Sequence, residues 1–239
     1  MTTTPEQLHD VRFPSESDEY RRAREDLLRA EMELREHTEA VAEQRRRLPL
    51  GGAVPRDYEF REWDTRTGSP RPVKLSQLFD DDKDTLLLYS FMFRPSPDGE
   101  PLGSPCPACT SLIDAISGQS RHVTQYVNLA IAAKVPIERL RAHAYSRGWA
   151  DIRMLSSAEN SYNHDYHTEA LDGGQWPIAT VFVRRDGAIH HCWSSELFYA
   201  PAAPGQNARH VDFMWPLWNI LDTTPSGRGT DFNLQLEYE

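Results

Sequence analysis

The chain has 239 residues, close to the upper size of one domain, so a single domain with an appendage is expected. Apolar residues make up 39% and charged residues 26%, enough to fill a core and to exclude disorder as the main state. Asp and Glu (36) outnumber Lys and Arg (26), and the net charge of −10 argues against a broad nucleic-acid footprint or a basic membrane face.

Residues Met1 to Tyr20 carry no apolar stretch of the secretory type, and no run of about 18 apolar residues occurs anywhere. Three cysteines do not make a disulfide framework. A cytoplasmic protein with no membrane and no nucleic-acid partner is expected. From Asp18 to Leu48 there is no Gly or Pro, and Arg, Glu, Ala and Leu dominate, which predicts one long helix. Ser15 or Ser17 can cap its start, and Pro49 with Gly51 and Gly52 ends it. Tyr20, Leu27, Leu34, Val41 and Leu48 recur every seven residues, but the second stripe (Ala23, Ala30, His37, Gln44) is thin for a coiled coil. Packing along its own domain is favoured over a homodimer contact through this helix. The expected division is a helical arm, 1–50, followed by a folded domain, 51–239.

Pro55 to Pro72 is polar and turn-rich, with Asp57 to Phe60 as a short strand, and Lys74 to Phe79 reads as a helical turn. Thr85 to Phe93 is a near-continuous apolar run, the pattern of a strand buried on both faces. A proline-rich loop, Arg94 to Pro105, leads straight into Cys106-Pro107-Ala108-Cys109, and a helical pattern resumes from Thr110. Val127 to Ala133 predicts a second buried strand, Pro136 to Arg147 a helix, and Ile152 to Ser156 a third strand. Pro177 to Arg185 and Ala188 to Trp193 flank Asp186-Gly187, a hairpin signal, and a helix is expected near Trp215 to Leu221.

Buried strand, CxxC at a helix start, crossover, strand and a proline-led hairpin is the order of a thioredoxin-like α/β fold: three layers, a mixed central sheet and, here, a long N-terminal helix. The chemistry explains the arrangement. A thiolate is the reactive species, and a helix N-terminus aims N–H groups and the positive dipole end at Cys106. Pro107 suits the first turn because its missing N–H would be unpaired there. Cys109, one turn on, is within reach of a disulfide. Cys106 is the expected attacking thiol and Cys109 the resolving one, both exposed enough to exchange electrons. Pro177, just before the hairpin, matches the position of the cis-proline that faces the CxxC in thioredoxin-like proteins, although a trans bond is the ordinary state. Metal binding by Cys106, Cys109 and a histidine, with His190, His191 and Cys192 as further ligands, and inert thiols in a non-catalytic binding module are the competing readings.

Several blocks together resemble the bacterial thioredoxin-like family catalogued as domain-of-unknown-function family 899, a relative of the alkyl hydroperoxide reductase/thioredoxin superfamily. They are Arg47-Leu48-Pro49 with Asp57-Tyr58-Glu59-Phe60, Leu75 to Phe79, Tyr89 to Phe93, Cys106 to Cys109, Arg147-Gly148-Trp149, Asn160 to Tyr166 and Leu221 to Arg228. The resemblance runs from about Tyr20 to Asp231. It implies a thioredoxin-like fold and a dithiol at Cys106 and Cys109, but lends no reaction. Thr110-Ser111-Leu112, His191-Cys192-Trp193-Ser194 and an insertion-like segment, Ala200 to Asn207, depart from the family pattern.

Peroxidase chemistry is disfavoured, because Pro101 to Cys106 lacks the Thr or Ser spacing of a peroxidatic cysteine. No buried acid stands on Leu86 to Phe93 to move a proton behind the CxxC; Glu159 and His164 are the replacements on offer. Arg94 can favour the Cys106 thiolate. Cys192 is expected to be a buried strand cysteine, and Phe213, Trp215 and Trp218 to pack a core, cover a pocket or meet a second copy. The expected function is a thiol–disulfide oxidoreductase acting on a protein or small-molecule disulfide or thiol, with no cofactor beyond the dithiol itself.

Overall fold

The computed structural model describes residues 8–80, 82–94, 103–171, 173–204, 209–228 and 234–238. Two compact units emerge, Met1–Pro49 and Leu50–Glu239. The first is built on α1, Asp18–Arg46. Ser17 caps it by accepting from the Tyr20 N–H, Asp18 and Glu19 sit in its first turn, and Arg45 and Arg46 in its last, as the macrodipole favours. Arg21 on its first turn lies between Glu16 and Glu25 and donates to the Val11 carbonyl.

The second unit is a thioredoxin-like α/β domain around a seven-stranded mixed sheet. Its elements are β1 Glu59–Asp64, β2 Ser69–Lys74, a 3₁₀ turn Leu75–Leu78, β3 Thr85–Phe91, α2 Pro107–Val123, β4 Asn128–Ala133, α3 Ile137–Ser146, β5 Arg153–Ser156, α4 Tyr162–Asp165, β6 Ala179–Arg185, β7 Ala188–Ser194 and α5 Pro216–Asp222, with two further short 3₁₀ turns. The strand order is β2-β1-β5-β4-β3-β6-β7. β3, β4 and β5 are parallel, whereas β6, β7, β1 and β2 run antiparallel to their neighbours.

The crossovers from β3 to β4 and from β4 to β5 step the same way along the sheet, so right-handed connections set α2 and α3 on one face. Phe91, Leu112, Ile113, Ile131, Ile137, Leu140 and Trp149 fill that layer, joined by Trp218 of α5. The opposite face holds Phe60, Leu75, Leu86, Leu88, Leu155, Tyr162 and Phe182, beneath α4 and the 3₁₀ turn. Alternation along β3 decides the chemistry: Leu86 and Leu88 enter the second layer, Tyr89 and Phe91 the first, beside the start of α2.

The hairpin turns at Asp186 and Gly187, both with positive φ (51° and 79°), the conformation that Asp-Gly supplies between twisted strands. Two expectations change here. The stretch read as turns, Pro55 to Pro72, contains β1 and most of β2; β2 keeps its two prolines because it is an edge strand. Cys192 is half-buried rather than buried. The β6–β7 register shifts between Val181 and Phe182, which pair with Trp193 and His191, so Cys192 is the extra residue of a bulge. Pro101 and Leu102, with Gly205 to Asn207 of the insertion-like segment, lie outside the described residues.

Candidate functional site: a closed dithiol at the start of α2

Cys106 is the N-cap of α2, with extended backbone angles (φ −66°, ψ 123°), and Pro107 opens the first turn. Its own N–H is held by the Met92 carbonyl at 3.0 Å, which ties the helix start to the end of β3, and its carbonyl accepts from the Thr110 N–H at 2.9 Å. The CxxC therefore stands where the sequence order places it, at the end of a buried strand and the start of a helix.

The two thiols are hydrogen-bonded to each other and differ sharply in acidity. Donation by the Cys109 thiol lowers Cys106 to about 6, against the opposing effect of burial; the N–H groups of Cys109 and Ala108 and the charge of Arg94 add to it. Cys109 moves the other way: burial raises it well above an ordinary thiol, and the neighbouring Cys106 sulfur raises it further. A nucleophile ionised at neutral pH beside a protonated partner is the division of labour that a two-cysteine exchange requires.

Tyr89 is the group that sequence reading missed. Its hydroxyl, buried on the α2 side of β3, is hydrogen-bonded to Cys109 and lowers the acidity barrier that burial imposes there. The strand carries a phenol in place of a carboxylate, and its period-two position on β3 marks it as facing α2. Further along α2, Thr110 Oγ1 lies 3.2 Å from His143 Nε2, and burial lowers the pKa of that half-buried histidine. His143 stacks edge-on against Trp149, whose Nε1 donates to Asp114 on α2 at 2.8 Å. Arg147 grips the same carboxylate with two nitrogens, so α2 and the end of α3 are bolted together behind the dithiol.

The structure corrects two expectations about the site and decides a further point, the isomer of the bond before Pro177. First, neither sulfur is exposed: Cys106 and Cys109 are each 2% accessible. They belong to one apolar cluster with Phe93, Val211, Trp215 and Trp218, and Trp215 Nε1 donates to Ser111 Oγ at 3.3 Å, one turn into α2. Trp215 and Trp218 of the tail are buried in this cluster, while Phe213 is exposed against Trp193. Secondly, no peptide bond among the described residues is cis, so Pro177 follows a trans bond. Pro177 precedes β6, where Ile178 accepts from the Ser90 N–H and Ala179 pairs with Tyr89; the same register sets Pro177 opposite Phe91 at the end of β3. Thirdly, Glu159 and His164 have other partners. Glu159 accepts from Arg61 at 3.0 Å, and His164 lies 3.2 Å from Asp165. Asp165 also accepts from Tyr58 at 2.8 Å in the layer on the other face of the sheet.

The histidines of β7 are likewise engaged: His190 Nδ1 lies 3.2 Å from the Gly51 carbonyl, and His191 Nε2 2.9 Å from Ser194 Oγ. Among the described residues, no three His, Cys, Asp or Glu side chains converge to hold a metal ion. Among the described residues, too, no helix is long and apolar enough to cross a membrane.

None of the curated proteins compared matches the chain. Among solved structures it is similar to peroxidoxin BcpB from Mycobacterium tuberculosis, with 18% identity, a TM-score of 0.42, and 71% of this chain and 95% of that one covered. It is similar also to the reduced 2-Cys peroxiredoxin of Plasmodium vivax, with 16% identity, a TM-score of 0.46, and coverage of 72% and 96%. The model of the family described as "Bacterial protein of unknown function (DUF899)" matches residues 11–238, nearly the whole chain, and the protein belongs to that family.

Proposed function

We propose that the protein is a thiol–disulfide oxidoreductase in which Cys106 attacks and Cys109 resolves. One observation carries the reading: two hydrogen-bonded thiols at a helix N-terminus, with Cys106 lowered to about 6 and Cys109 raised. The Cys106 thiolate attacks one sulfur of a substrate disulfide; that S–S bond breaks, and the departing thiolate takes up a proton. Cys109 then loses its proton and attacks Cys106 within the mixed disulfide, releasing the second substrate thiol. The substrate gains two electrons and two protons, and the pair ends as a Cys106–Cys109 disulfide. No cofactor is needed beyond the dithiol. Pro177 enters as a rigid lead into β6, not as a reacting group. Because both sulfurs are buried, the substrate, a protein or small-molecule disulfide, is reached only when the packing around them opens.

The same burial favours a second reading, a non-catalytic binding module in which both cysteines are packing groups. Thiol trapping with mass spectrometry separates the two. The oxidoreductase requires a reversible loss of two protons localised to Cys106 and Cys109 after treatment with oxidised glutathione. Thiols that stay reduced and unalkylated in the folded protein establish the module instead. The seven-residue apolar spacing of α1 supports a homodimer through that helix; Leu34→Glu then shifts the solution mass to a monomer, and an unchanged mass discards the contact.

A further inference from the structure

Between β1, β5 and α3 lies a cleft of about 410 Å³ that the dithiol chemistry does not use. Its walls are apolar and aromatic: Trp63 of β1, Ile137 and Ala144 of α3, Trp149 and Ile152 after α3, and Met154 of β5. Cavities of this kind with a few polar groups are the usual form of small-molecule sites, and this volume lies toward the small end of their range.

The charge around it is unbalanced. Glu62, only 6% accessible, is held by Arg153 through both carboxylate oxygens, at 2.6 and 3.1 Å, and also by Arg71 at 2.5 Å. Arg141 lines the same cleft, with its guanidinium 4.5 Å from the centre of the Trp63 ring. Among the described residues Arg141 has no carboxylate partner. Among the residues that line the cleft, two guanidiniums, Arg141 and Arg153, face one carboxylate, Glu62, which leaves an excess of one positive charge in a chain whose net charge is −10.

A guanidinium stacked on an indole has its faces used and its N–H edge free, the geometry that receives a carboxylate in two parallel hydrogen bonds. Indole and aliphatic walls alongside accept a flat ring. We propose that this cleft is a binding site for a small planar aromatic carboxylate, with Arg141 holding the carboxylate and Trp63 and Trp149 flanking the ring. The proposal is independent of whether Cys106 and Cys109 are redox-active.

Titration with 2-naphthoate, followed through the six indole N–H signals by nuclear magnetic resonance and by calorimetry, tests it. Binding is expected to saturate at one site and to shift the Trp63 and Trp149 signals, identified with Trp→Phe variants. The neutral isostere 2-naphthamide is expected to bind about tenfold more weakly or worse, the size of a lost charge-assisted pair. Arg141→Met, which keeps an apolar stem over Trp63, is expected to weaken 2-naphthoate by a similar factor and to leave the amide unchanged. Unshifted indole signals in the free variant show that its fold is intact. No saturation at millimolar 2-naphthoate, equal affinity for acid and amide, undiminished binding by Arg141→Met, or shifts confined to other tryptophans would each overturn the proposal.

Discussion

The hydroxyl of Tyr89 is hydrogen-bonded to the Cys109 sulfur from within the core, so the less acidic of the two thiols carries its own buried donor. A phenol raised far above its ordinary pKa by burial remains protonated through the cycle and serves as a donor, never as a base. It steadies the thiolate that Cys109 must become in order to resolve a mixed disulfide. Tyr89→Phe keeps the ring and removes that donor. Losing one hydrogen bond of about 1 kcal/mol is expected to slow closure of the Cys106–Cys109 disulfide roughly fivefold. Alkylation of Cys106 in a Cys109→Ser background, measured by stopped flow with and without Tyr89→Phe, should not change to the same extent. Equal slowing of both steps would mean that Tyr89 acts through packing alone.

The acidity of Cys106 has a direct pH signature. The thiolate reacts and the thiol does not, so alkylation rises with pH through the folded-state pKa and then levels off. In the native protein the rise is expected to centre near 6, where the Cys109 thiol, two backbone N–H groups and Arg94 hold it. Cys109→Ala removes the largest of these contributions, so the midpoint moves up towards an ordinary thiol. Arg94→Ala moves it the same way by less. Rate–pH profiles of iodoacetamide modification, with mass spectrometry to assign the site, measure both shifts.

The tail is expected to govern access to the pair, since Trp215 and Trp218 belong to the same apolar cluster as the two sulfurs. Arg228 bonds Asp222 at 2.7 Å and Asp212 at 2.9 Å, and its guanidinium lies 4.4 Å from the Trp218 ring centre. Trp218 stands edge-on to Trp215, 5.1 Å between centroids, and Trp215 bonds Ser111 beside the dithiol. Removing Arg228 is expected to loosen this segment without touching either sulfur. Arg228→Ala is expected to speed Cys106 alkylation several-fold at every pH and to leave the midpoint of the profile in place. A shifted midpoint with an unchanged plateau would show that the tail tunes acidity and does not limit access.

Behind the dithiol, Asp114 accepts from Arg147 in a bidentate pair and from Trp149 Nε1. Asp114→Ala leaves the indole N–H and the guanidinium short of an acceptor at a partly exposed site, a loss of about 1–3 kcal/mol. For a domain of this size each kcal/mol lowers Tm by roughly 2–4 °C. Differential scanning calorimetry should therefore record a drop of several degrees. An unchanged Tm would assign the fastening of α2 to apolar packing.

Local patterns carried most of this architecture. The apolar run at β3, the Asp-Gly between β6 and β7, and Pro107 after Cys106 each report on their own neighbourhood, and each element formed where its residues indicate. What stayed hidden depends on residues far apart in the chain. The tie between the tail and α2 joins Trp215 to Ser111, 104 positions apart, and no periodicity announces it. Tyr89 reads as one more core aromatic until α2 is laid over β3. β2 escaped because its prolines signal turns, and only its place at the sheet edge makes them tolerable. The family blocks were legible as motifs but not as joints: Arg147 to Trp149 proved to be the clasp on Asp114, and Arg228 the tie across the tail.

His210 makes the tail sensitive to acid. Burial lowers its pKa from 6.5 to about 4, with nearby Asp212 opposing the shift, and its Nδ1 lies 3.1 Å from Ser195 Oγ. That hydroxyl accepts from the Ala179 N–H at 3.0 Å, so the neutral imidazole belongs to the network at the start of β6. The folded state resists protonating this histidine while the unfolded chain does not. Between about pH 6.5 and 4 the unfolded state therefore binds more protons, and stability falls as the pH falls. With these two pKa values the loss between pH 7 and pH 5 is about 2 kcal/mol. Urea unfolding at the two pH values measures it, and His210→Gln, which cannot take up the proton, is expected to lose correspondingly less on acidification. If the variant and the native protein lose stability in parallel, the acid sensitivity lies in other groups and His210 titrates freely in the folded state.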